Sequence, residues 1–257
     1  MSSNQFYDDY WKSGAHAGMK WSQQRFEKVL GPLTGRGAVL DYGCGVGHKY
    51  RRHLMDANDL YTGADVSEVA LDTVREMGGT ALKIDINTSG IEAEDASFDG
   101  AVCSEVFEHL FDPLRATREI FRVLKPGAPF VATVPNFGYH PWRIQALLRA
   151  RVPDEPEDPV GNPFNGVHIR YFSAWTFGRM LEMAGFSDVR VDSYIRGSVW
   201  DLFRVLGPLS RITVVANRFL PDKLHFKFLS DLFPGLFAER IRAVCYKPTN
   251  AISGPQT

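Results

Sequence analysis

The sequence predicts an α/β protein built on a mostly parallel sheet, and three observations lead to that fold class. Short apolar runs alternate with amphipathic stretches from about residue 24 to residue 135. The first apolar run leads directly into a glycine-rich turn, Gly43-Cys44-Gly45-Val46-Gly47. The 257 residues are enough to bury the core of one sizeable domain. Strands and helices that alternate in this way build βαβ units with parallel strands.

Each predicted element rests on a local pattern. Strands are expected at residues 38–41, 60–65, 81–86, 98–104, 129–134, 188–193 and 243–246. A helix over 48–57 follows the glycine turn, and Ser67 offers its hydroxyl as an N-cap to the next helix. The segment DPLRATREIFRVL is amphipathic, and Pro126-Gly127 ends it. Ser173 is expected to cap the helix AWTFGRMLEM.

Composition and charge exclude several classes of protein. The formal net charge is −1, so a general polyanion-binding role is not indicated and no nucleic-acid partner is expected. Cys44, Cys103 and Cys245 lie far apart without metal-ligand spacing, which favours a reducing compartment over a disulfide scaffold. The N-terminal stretch lacks a signal-peptide layout, and no apolar run reaches the roughly 20 residues that span a bilayer. We therefore expect a cytoplasmic protein.

The glycine turn gains meaning from its context. A glycine cluster alone is a weak signal, because glycine also serves any tight turn that requires a positive φ. Here the turn follows the first strand of a βαβ unit, and Asp65 ends the second strand about 20 residues further on, where a ribose places its hydroxyls. The combination indicates a cofactor of the adenosine type. A dinucleotide and S-adenosylmethionine are the two candidates.

The carboxylate of Asp41 favours S-adenosylmethionine. A dinucleotide places its pyrophosphate against such a turn, and a second anion there would repel it. S-adenosylmethionine instead carries an ammonium and a sulfonium, which an aspartate would attract. The spacing G-x-G-x-G also differs from the G-x-G-x-x-G of dinucleotide-binding dehydrogenases.

At this point the sequence resembles the class I S-adenosylmethionine-dependent methyltransferases. The stretches VLDYGCGVG, YTGADVS, LKIDI, SFDGAVCSEVFEHLFDP, REIFRVLKPGAPFVATVPN and HIRYFSAWTFGRMLEMAGF follow the family's motifs in order over roughly residues 35 to 190. The branch that it resembles most contains bacterial small-molecule, glycan and quinone-pathway O-methyltransferases. The resemblance implies a Rossmann-like fold with a seven-stranded, mostly parallel sheet flanked by helices, and helical or loop insertions that form a lid.

The resemblance also implies a set of cofactor-binding residues. Asp41 and the backbone of the glycine turn should hold the methionine moiety, Asp65 should bind the ribose hydroxyls, and Val66 should contact the adenine. Two residues at the end of the third strand should contact the adenine, two at the tip of the fourth strand should form the floor of the pocket, and three belong to the turn itself. In that order these are Asp85 and Ile86; Ser104 and Glu105; Gly43, Cys44 and Gly45.

The N-terminal segment resembles the part of relatives that closes over the cofactor. Tyr10, Trp11 and Trp21 would then offer π faces to the sulfonium cation. Packing of an N-terminal helix against the sheet edge is the alternative for these aromatic residues.

Three histidines are candidates for the catalytic base. A hydroxyl acceptor attacks the methyl group only after it loses its proton, and histidine is the commonest group that removes one. His109 follows the fourth strand, His168 follows a long proline-rich loop, and His140 lies just past the fifth strand. Structural roles remain open for all three. The sequence shows no dedicated metal cage, and a carboxylate-bound Mg²⁺ remains open.

We expect a single domain over residues 1–257, with a cofactor-capping segment at 1–34 and substrate-specificity insertions at 137–169 and 199–237. The predicted reaction is O-methylation of a small-molecule, sugar or lipid-linked acceptor. The aromatic-rich segment 199–237 suits core or oligomer packing, with peripheral lipid contact as the alternative. Both a monomer and a homodimer remain open. An NAD(P)-dependent oxidoreductase and a non-catalytic S-adenosylmethionine-binding module are the rival functions.

Overall fold

The structure is a computed structural model that describes residues 3–13, 29–84, 90–149, 168–196 and 232–249. Its helices, in chain order, are α1 Ser3–Ser13, α2 His48–Ala57, α3 Glu68–Glu76, α4 Pro113–Val123, α5 His140–Arg149, α6 Ala174–Met183 and α7 Pro234–Phe237. Its strands are β1 Ala38–Tyr42, β2 Leu60–Asp65, β3 Thr80–Lys83, β4 Gly100–Ser104, β5 Pro129–Pro135, β6 Ser187–Arg196 and β7 Ala238–Tyr246. Among these residues, no helix has the length and apolar character required to cross a bilayer.

The strands form one seven-stranded sheet in the order β3-β2-β1-β4-β5-β7-β6. Strand β7 runs antiparallel to both of its neighbours, and the other observed pairings are parallel. This confirms the predicted mostly parallel sheet. The chain reverses its direction of travel across the sheet between β1 and β4, and open α/β sheets bind their ligands at such a switch point, outside the carboxyl ends of the strands.

The two faces of the sheet bury different helices. Leu40 and Phe130 belong to one apolar cluster, which includes Ile120 of α4 and Phe177 of α6. Val39 points to the opposite face, where a second cluster includes side chains of α2 and α3. Because both faces are covered, the central strands are nearly continuous apolar runs, as a parallel sheet requires.

The sequence predicted the starts of two helices correctly, but it predicted the limits of several strands less accurately. Ser67 accepts a hydrogen bond from the backbone of Ala70, and Ser173 forms a capping box with Thr176, so both predicted N-caps are confirmed. Strand β4 begins at Gly100 instead of residue 98, because Phe98 forms only an isolated bridge. Strand β3 covers Thr80–Lys83, and the predicted end of that strand lies partly outside the described residues. Strands β6 and β7 pair with each other over most of their length and extend beyond the predicted limits.

Candidate active site

The candidate site lies at the carboxyl ends of β1, β2 and β4. The glycine turn follows β1, Asp65 ends β2, and a short 3-10 helix, Phe107–His109, follows β4. Helix α1 adds side chains from the N-terminal segment. The fold thus brings together residues that are separated by about a hundred positions in the chain.

The glycine turn is shaped by its backbone. Gly43 and Gly45 have φ values of +74° and +50°, which residues with a side chain rarely adopt. A Cβ atom on Gly43 would lie 2.4 Å from a methyl group of Val106. One on Gly45 would lie 2.8 Å from the indole of Trp11. Glycine at both positions lets neighbouring side chains pack directly on the turn.

The amide groups of this turn donate to oxygen atoms of the chain itself. The N–H groups of Gly43 and Cys44 donate to the carbonyl of Ala64, at 2.8 and 3.1 Å. The N–H of Gly45 donates to Oδ2 of Asp65 at 2.9 Å. Because these three donors are engaged, the turn does not present them to a pyrophosphate, which a dinucleotide site would require. This geometry disfavours a dinucleotide at the turn.

Asp65 is held rigidly at the end of β2. Its second oxygen, Oδ1, accepts from the N–H of Ser67 at 2.9 Å, so two backbone amides fix the carboxylate. Burial raises the pKa of Asp65, and the N–H groups of Ser67 and Gly45 oppose that rise. Its predicted binding of the ribose hydroxyls stays a prediction.

Asp41 lies beneath the glycine turn, because its side chain points to the face of the sheet that carries Tyr61. The Tyr61 hydroxyl donates to Oδ2 of Asp41 at 2.7 Å, and Asp41 is only 1% exposed. Burial raises the pKa of Asp41 to about 7, although the Tyr61 hydrogen bond and the Arg51 charge lower it. The negative charge expected at the edge of the turn is therefore weakened, and its role toward the methionine moiety stays a prediction.

Arg51 is a site-supporting residue that the sequence did not reveal. It is fully buried, and its guanidinium donates to Tyr61 Oη at 3.3 Å, to Thr73 Oγ1 at 2.6 Å and to the carbonyl of Gly45 at 2.5 Å. These bonds tie α2 and β2 to the glycine turn. The amphipathic pattern of α2 showed which face is buried, but not that an arginine lies on it.

Helix α1 lies over the turn and over Asp65. The carboxylate of Asp8 accepts from the Ser67 hydroxyl at 2.5 Å, and the Trp11 indole packs on Gly45. The ring of Tyr10 packs edge-on against Trp11, with 4.9 Å between ring centroids. The structure therefore places two of the three predicted aromatic residues near the turn. Trp21 lies outside the described residues.

Tyr7 is a second residue that the sequence analysis did not single out. Burial, and to a smaller extent the negative charges of Asp65 and Glu108, raise its pKa to about 12. The hydroxyl of this α1 residue therefore feels the charges of both carboxylates. Its position in the aromatic FYDDYW stretch was the available signal.

The residues that end β4 have partners within the protein. The hydroxyl of Ser104 pairs with that of Thr133 at 2.8 Å. Glu105 adopts a φ of +57° and forms an ion pair with Arg240 of β7. Both residues lie at the carboxyl edge of the sheet, and their predicted role as a pocket floor stays a prediction.

Glu108, His109 and His168 form a compact cluster beside this edge. Oε1 of Glu108 lies 3.9 Å from Nε2 of His109 and 3.9 Å from Nε2 of His168. The two imidazole centroids are 4.8 Å apart. The Glu108 side chain is 1% exposed, whereas those of His109 and His168 are 18% and 21% exposed, so the histidines border the open side.

Backbone hydrogen bonds explain how His168 reaches this cluster. The N–H groups of Ile169 and Arg170 both donate to the carbonyl of Glu108, at 2.8 and 3.0 Å. The Arg170 guanidinium also donates to the carbonyl of Phe111. The segment after the proline-rich loop is therefore anchored directly on the 3-10 helix, and two predicted base candidates lie side by side.

His140 has a different environment from the other two histidines. Its Nδ1 lies 3.2 Å from the carbonyl of Leu236, and its ring packs on Phe237 at 5.3 Å between centroids. The buried ring thus joins α5 to α7. Asp85 and Ile86, the predicted adenine contacts, lie outside the described residues, and Val66 is buried immediately after β2.

A family model described as a methyltransferase domain matches residues 16–191, which is more than half of the chain. This chain belongs to the methyltransferase domain family. Family membership and fold imply S-adenosylmethionine as the cofactor and S-adenosylhomocysteine as the product. The choice between the two adenosine cofactors therefore rests on the family match and on the engaged amides of the turn, and not on the charge of Asp41.

Relatives support this assignment over part of their length. A "Probable S-adenosylmethionine-dependent methyltransferase" of Mycolicibacterium smegmatis is 33% identical over 171 residues, covering 63% of this chain and 58% of that protein. The ubiquinone biosynthesis O-methyltransferase of Idiomarina loihiensis is 26% identical over 164 residues, covering 61% and 64%. The chain thus matches less than two thirds of the length of either relative.

The fold also matches that of solved methyltransferases. A SAM-dependent methyltransferase from Archaeoglobus fulgidus superposes with a TM-score of 0.58 at 17% identity, covering 96% of this chain and all of that one. The likeness confirms the predicted class I fold and concerns the fold alone.

Proposed function

We propose that this methyltransferase transfers a methyl group to a hydroxyl oxygen of a small-molecule, sugar or lipid-linked acceptor. S-adenosylmethionine, when bound, supplies a methyl group activated by the sulfonium. The acceptor oxygen must approach along the axis of the sulfur–methyl bond. Alignment of reactants can contribute about 7–11 kcal/mol to such a reaction.

One observation carries this proposal. Val106, which directly precedes the 3-10 helix Phe107–His109, packs on the glycine turn, because a Cβ atom on Gly43 would lie 2.4 Å from a methyl group of Val106. The turn proposed to bind the cofactor and the helix that carries Glu108 and His109 are therefore neighbours. This supports one shared space in which donor and acceptor meet.

The chain's own residues have separable roles in the proposal. Asp65 binds the ribose, and the Trp11 indole covers the glycine turn and offers its face to the sulfonium. The imidazole of His109 or His168 removes the acceptor proton, and the adjacent Glu108 carboxylate stabilises the imidazolium that results. The geometry favours these two histidines over His140.

An oxygen acceptor is the best match to this arrangement. A hydroxyl is a poor nucleophile until it loses its proton, and a neighbouring cluster of proton-accepting groups would remove that proton. One relative is named as an O-methyltransferase of ubiquinone biosynthesis. A carboxylate acceptor would not need the cluster.

The proposed domain organisation follows from the site. Residues 1–34 cap the cofactor, and α1 is the described part of that segment. The insertions 137–169 and 199–237 would select the acceptor, the second by packing or by peripheral lipid contact. Three buried free cysteines are consistent with the proposed cytoplasmic location. Both a monomer and a homodimer are compatible with the proposal.

A release assay tests the proposal. Full-length protein is incubated with S-adenosylmethionine that carries an isotopically labelled methyl group and with a panel of sugars, phenols, lipid-linked glycans, amines and carboxylates. We expect S-adenosylhomocysteine release and an O-methylated product with at least one hydroxyl acceptor. His109→Ala should lower that turnover by roughly 10²–10⁴-fold. His53→Ala, which alters a histidine on α2 outside the cluster, serves as the matched control.

Three results would contradict the proposal. Labelled product confined to amine or carboxylate acceptors would exclude hydroxyl methylation. Equal turnover of the His109→Ala, His168→Ala and wild-type proteins would remove the cluster from proton transfer. A protein that binds S-adenosylhomocysteine but releases none with any acceptor would instead be a cofactor-binding module.

A further inference from the structure

We propose that Glu108, His109 and His168 form a binding site for one divalent transition-metal ion, of which Zn²⁺ is the representative. Each residue offers one ligand atom, and these three atoms all lie within 4.8 Å of one another. Ion binding itself does not depend on the proposed function, whereas the catalytic role of the ion does.

The spacing of the donors is close to that of a metal site. Ligand atoms about 2.0–2.2 Å from Zn²⁺ in a tetrahedral arrangement lie roughly 3.3–3.6 Å apart. The distances from Oε1 of Glu108 to the two Nε2 atoms are 3.9 Å. All three ligand atoms lie within 4.8 Å of one another, and rotation of the partly exposed imidazoles would bring them closer together.

The chemistry of the donors selects the class of ion. Two imidazole nitrogens and one carboxylate oxygen suit Zn²⁺, Mn²⁺ or Fe²⁺, whereas Mg²⁺ and Ca²⁺ prefer oxygen ligands throughout. Three protein ligands also leave coordination positions open, as in catalytic and not structural zinc sites. The partly exposed histidines place those open positions toward solvent and the expected acceptor.

Backbone hydrogen bonds hold the residues of this cluster in place. Glu108 is buried, and its own carbonyl accepts from the N–H groups of Ile169 and Arg170. The hydrogen bonds hold the chain on both sides of the cluster, so the ligands from residues 108–109 and from residue 168 keep a common register. Such preorganisation keeps small the conformational entropy lost when an ion binds.

The role of the ion deepens the proposed function. An acceptor hydroxyl that coordinates an open position becomes more acidic and releases its proton to solvent water. The oxygen then forms a bond to the methyl carbon, the sulfur–methyl bond breaks, and its electron pair returns to sulfur. The two histidines act as ligands in this scheme, and the ion replaces the imidazole base.

Metal binding can be measured without any acceptor. Full-length protein is freed of metal with a chelator and titrated with Zn²⁺ by calorimetry, and the retained metal is counted by mass spectrometry. We expect one ion per chain. Loss of a residue that only supports a metal ligand typically weakens metal binding by about 10–100-fold. Glu108→Gln and His168→Ala change the ligands themselves, so each should weaken Zn²⁺ binding by about 10²-fold or more. His53→Ala should bind as the wild type does.

Calorimetry with S-adenosylhomocysteine shows which variants are folded, and only these enter the comparison. Substitution with Co²⁺ adds a visible spectrum that should disappear in His109→Ala if the imidazole is a ligand. No retained Zn²⁺ in the wild type, or equal retention in folded Glu108→Gln and His168→Ala proteins, would overturn the inference. Chelator-resistant O-methylation would overturn the role of the ion alone. Cluster-dependent Zn²⁺ binding without O-methylation would leave the site in place and refute the proposed function.

Discussion

The stability of this protein should fall as the pH rises from 5 to 8, and the buried carboxyl of Asp41 should be responsible. Below its ordinary pKa of 3.8 the group is protonated in the folded and unfolded chains alike. Between that value and about 7 the unfolded chain loses the proton while the folded chain keeps it. The free energy of unfolding therefore decreases across this interval and is constant above it.

The size of the effect follows from the same two values. The difference between 3.8 and about 7 corresponds to about 4 kcal/mol over the full interval. In an experiment from pH 5 to pH 8, only the part of this interval between pH 5 and about 7 contributes. The free energy of unfolding then decreases by about 3 kcal/mol. Asp41→Asn removes the titration and keeps a carbonyl oxygen that can accept from the Tyr61 hydroxyl.

Urea denaturation at pH 5, 6, 7 and 8 measures this effect in both proteins. Groups that do not interact with Asp41 affect both proteins alike, so the wild-type minus Asp41→Asn difference reports Asp41 together with its coupling to Asp65. We expect that difference to change by about 3 kcal/mol in favour of the variant as the pH rises. A difference that stays within about 0.5 kcal/mol across the series would refute the assignment of a raised pKa to Asp41.

Three further predictions concern ligand binding and turnover. Asp65→Ala should weaken S-adenosylhomocysteine binding by about 1–3 kcal/mol in calorimetry, because charged hydrogen bonds to the ribose are lost. Gly45→Ala should destabilise the fold by about 1–2 kcal/mol through its φ of +50° and also weaken ligand binding, because the new Cβ displaces the Trp11 indole. Gly78 has a φ of +87°, but an added Cβ atom there would meet nothing within 4 Å, so Gly78→Ala should show only the stability loss. His109→Ala should lower turnover by roughly 10²–10⁴-fold and leave S-adenosylhomocysteine affinity unchanged.

Each of these predictions has an outcome that contradicts it. Unchanged affinity of Asp65→Ala would remove that carboxylate from the ribose site. Equal ligand affinity of Gly45→Ala and Gly78→Ala would show that the indole does not border the ligand. A parallel loss of affinity and turnover in His109→Ala would assign that residue to structure instead of chemistry.

Much of the fold could be predicted because its determinants are local. Apolar runs set the strands, and Ser67 and Ser173 mark helix starts that the structure confirms. The glycine turn and Asp65 could be paired because the first two strands of a βαβ unit are parallel neighbours, which aligns their carboxyl ends. Periodicity and turn chemistry carry this information within short windows.

The parts of the site that the sequence did not predict depend on contacts between segments that are far apart in the chain. A strand pattern does not specify what surrounds Asp41. Its burial, which raises its pKa, and its neighbours Arg51 and Tyr61, which lower it, were therefore not foreseen. His168 meets Glu108 only because backbone bonds anchor residues 169 and 170 on the 3-10 helix. No spacing in the sequence records such a contact, and the metal-binding proposal for this cluster could arise only from the structure.

The central claim is that the methyl donor binds at the glycine turn with its sulfur directed to the cluster of Glu108, His109 and His168. A crystal structure of the complex with S-adenosylhomocysteine tests this most directly. We expect the ribose hydroxyls within hydrogen-bonding distance of Asp65 and the sulfur facing the cluster. Ligand bound elsewhere, or a sulfur directed away from these side chains, would contradict it.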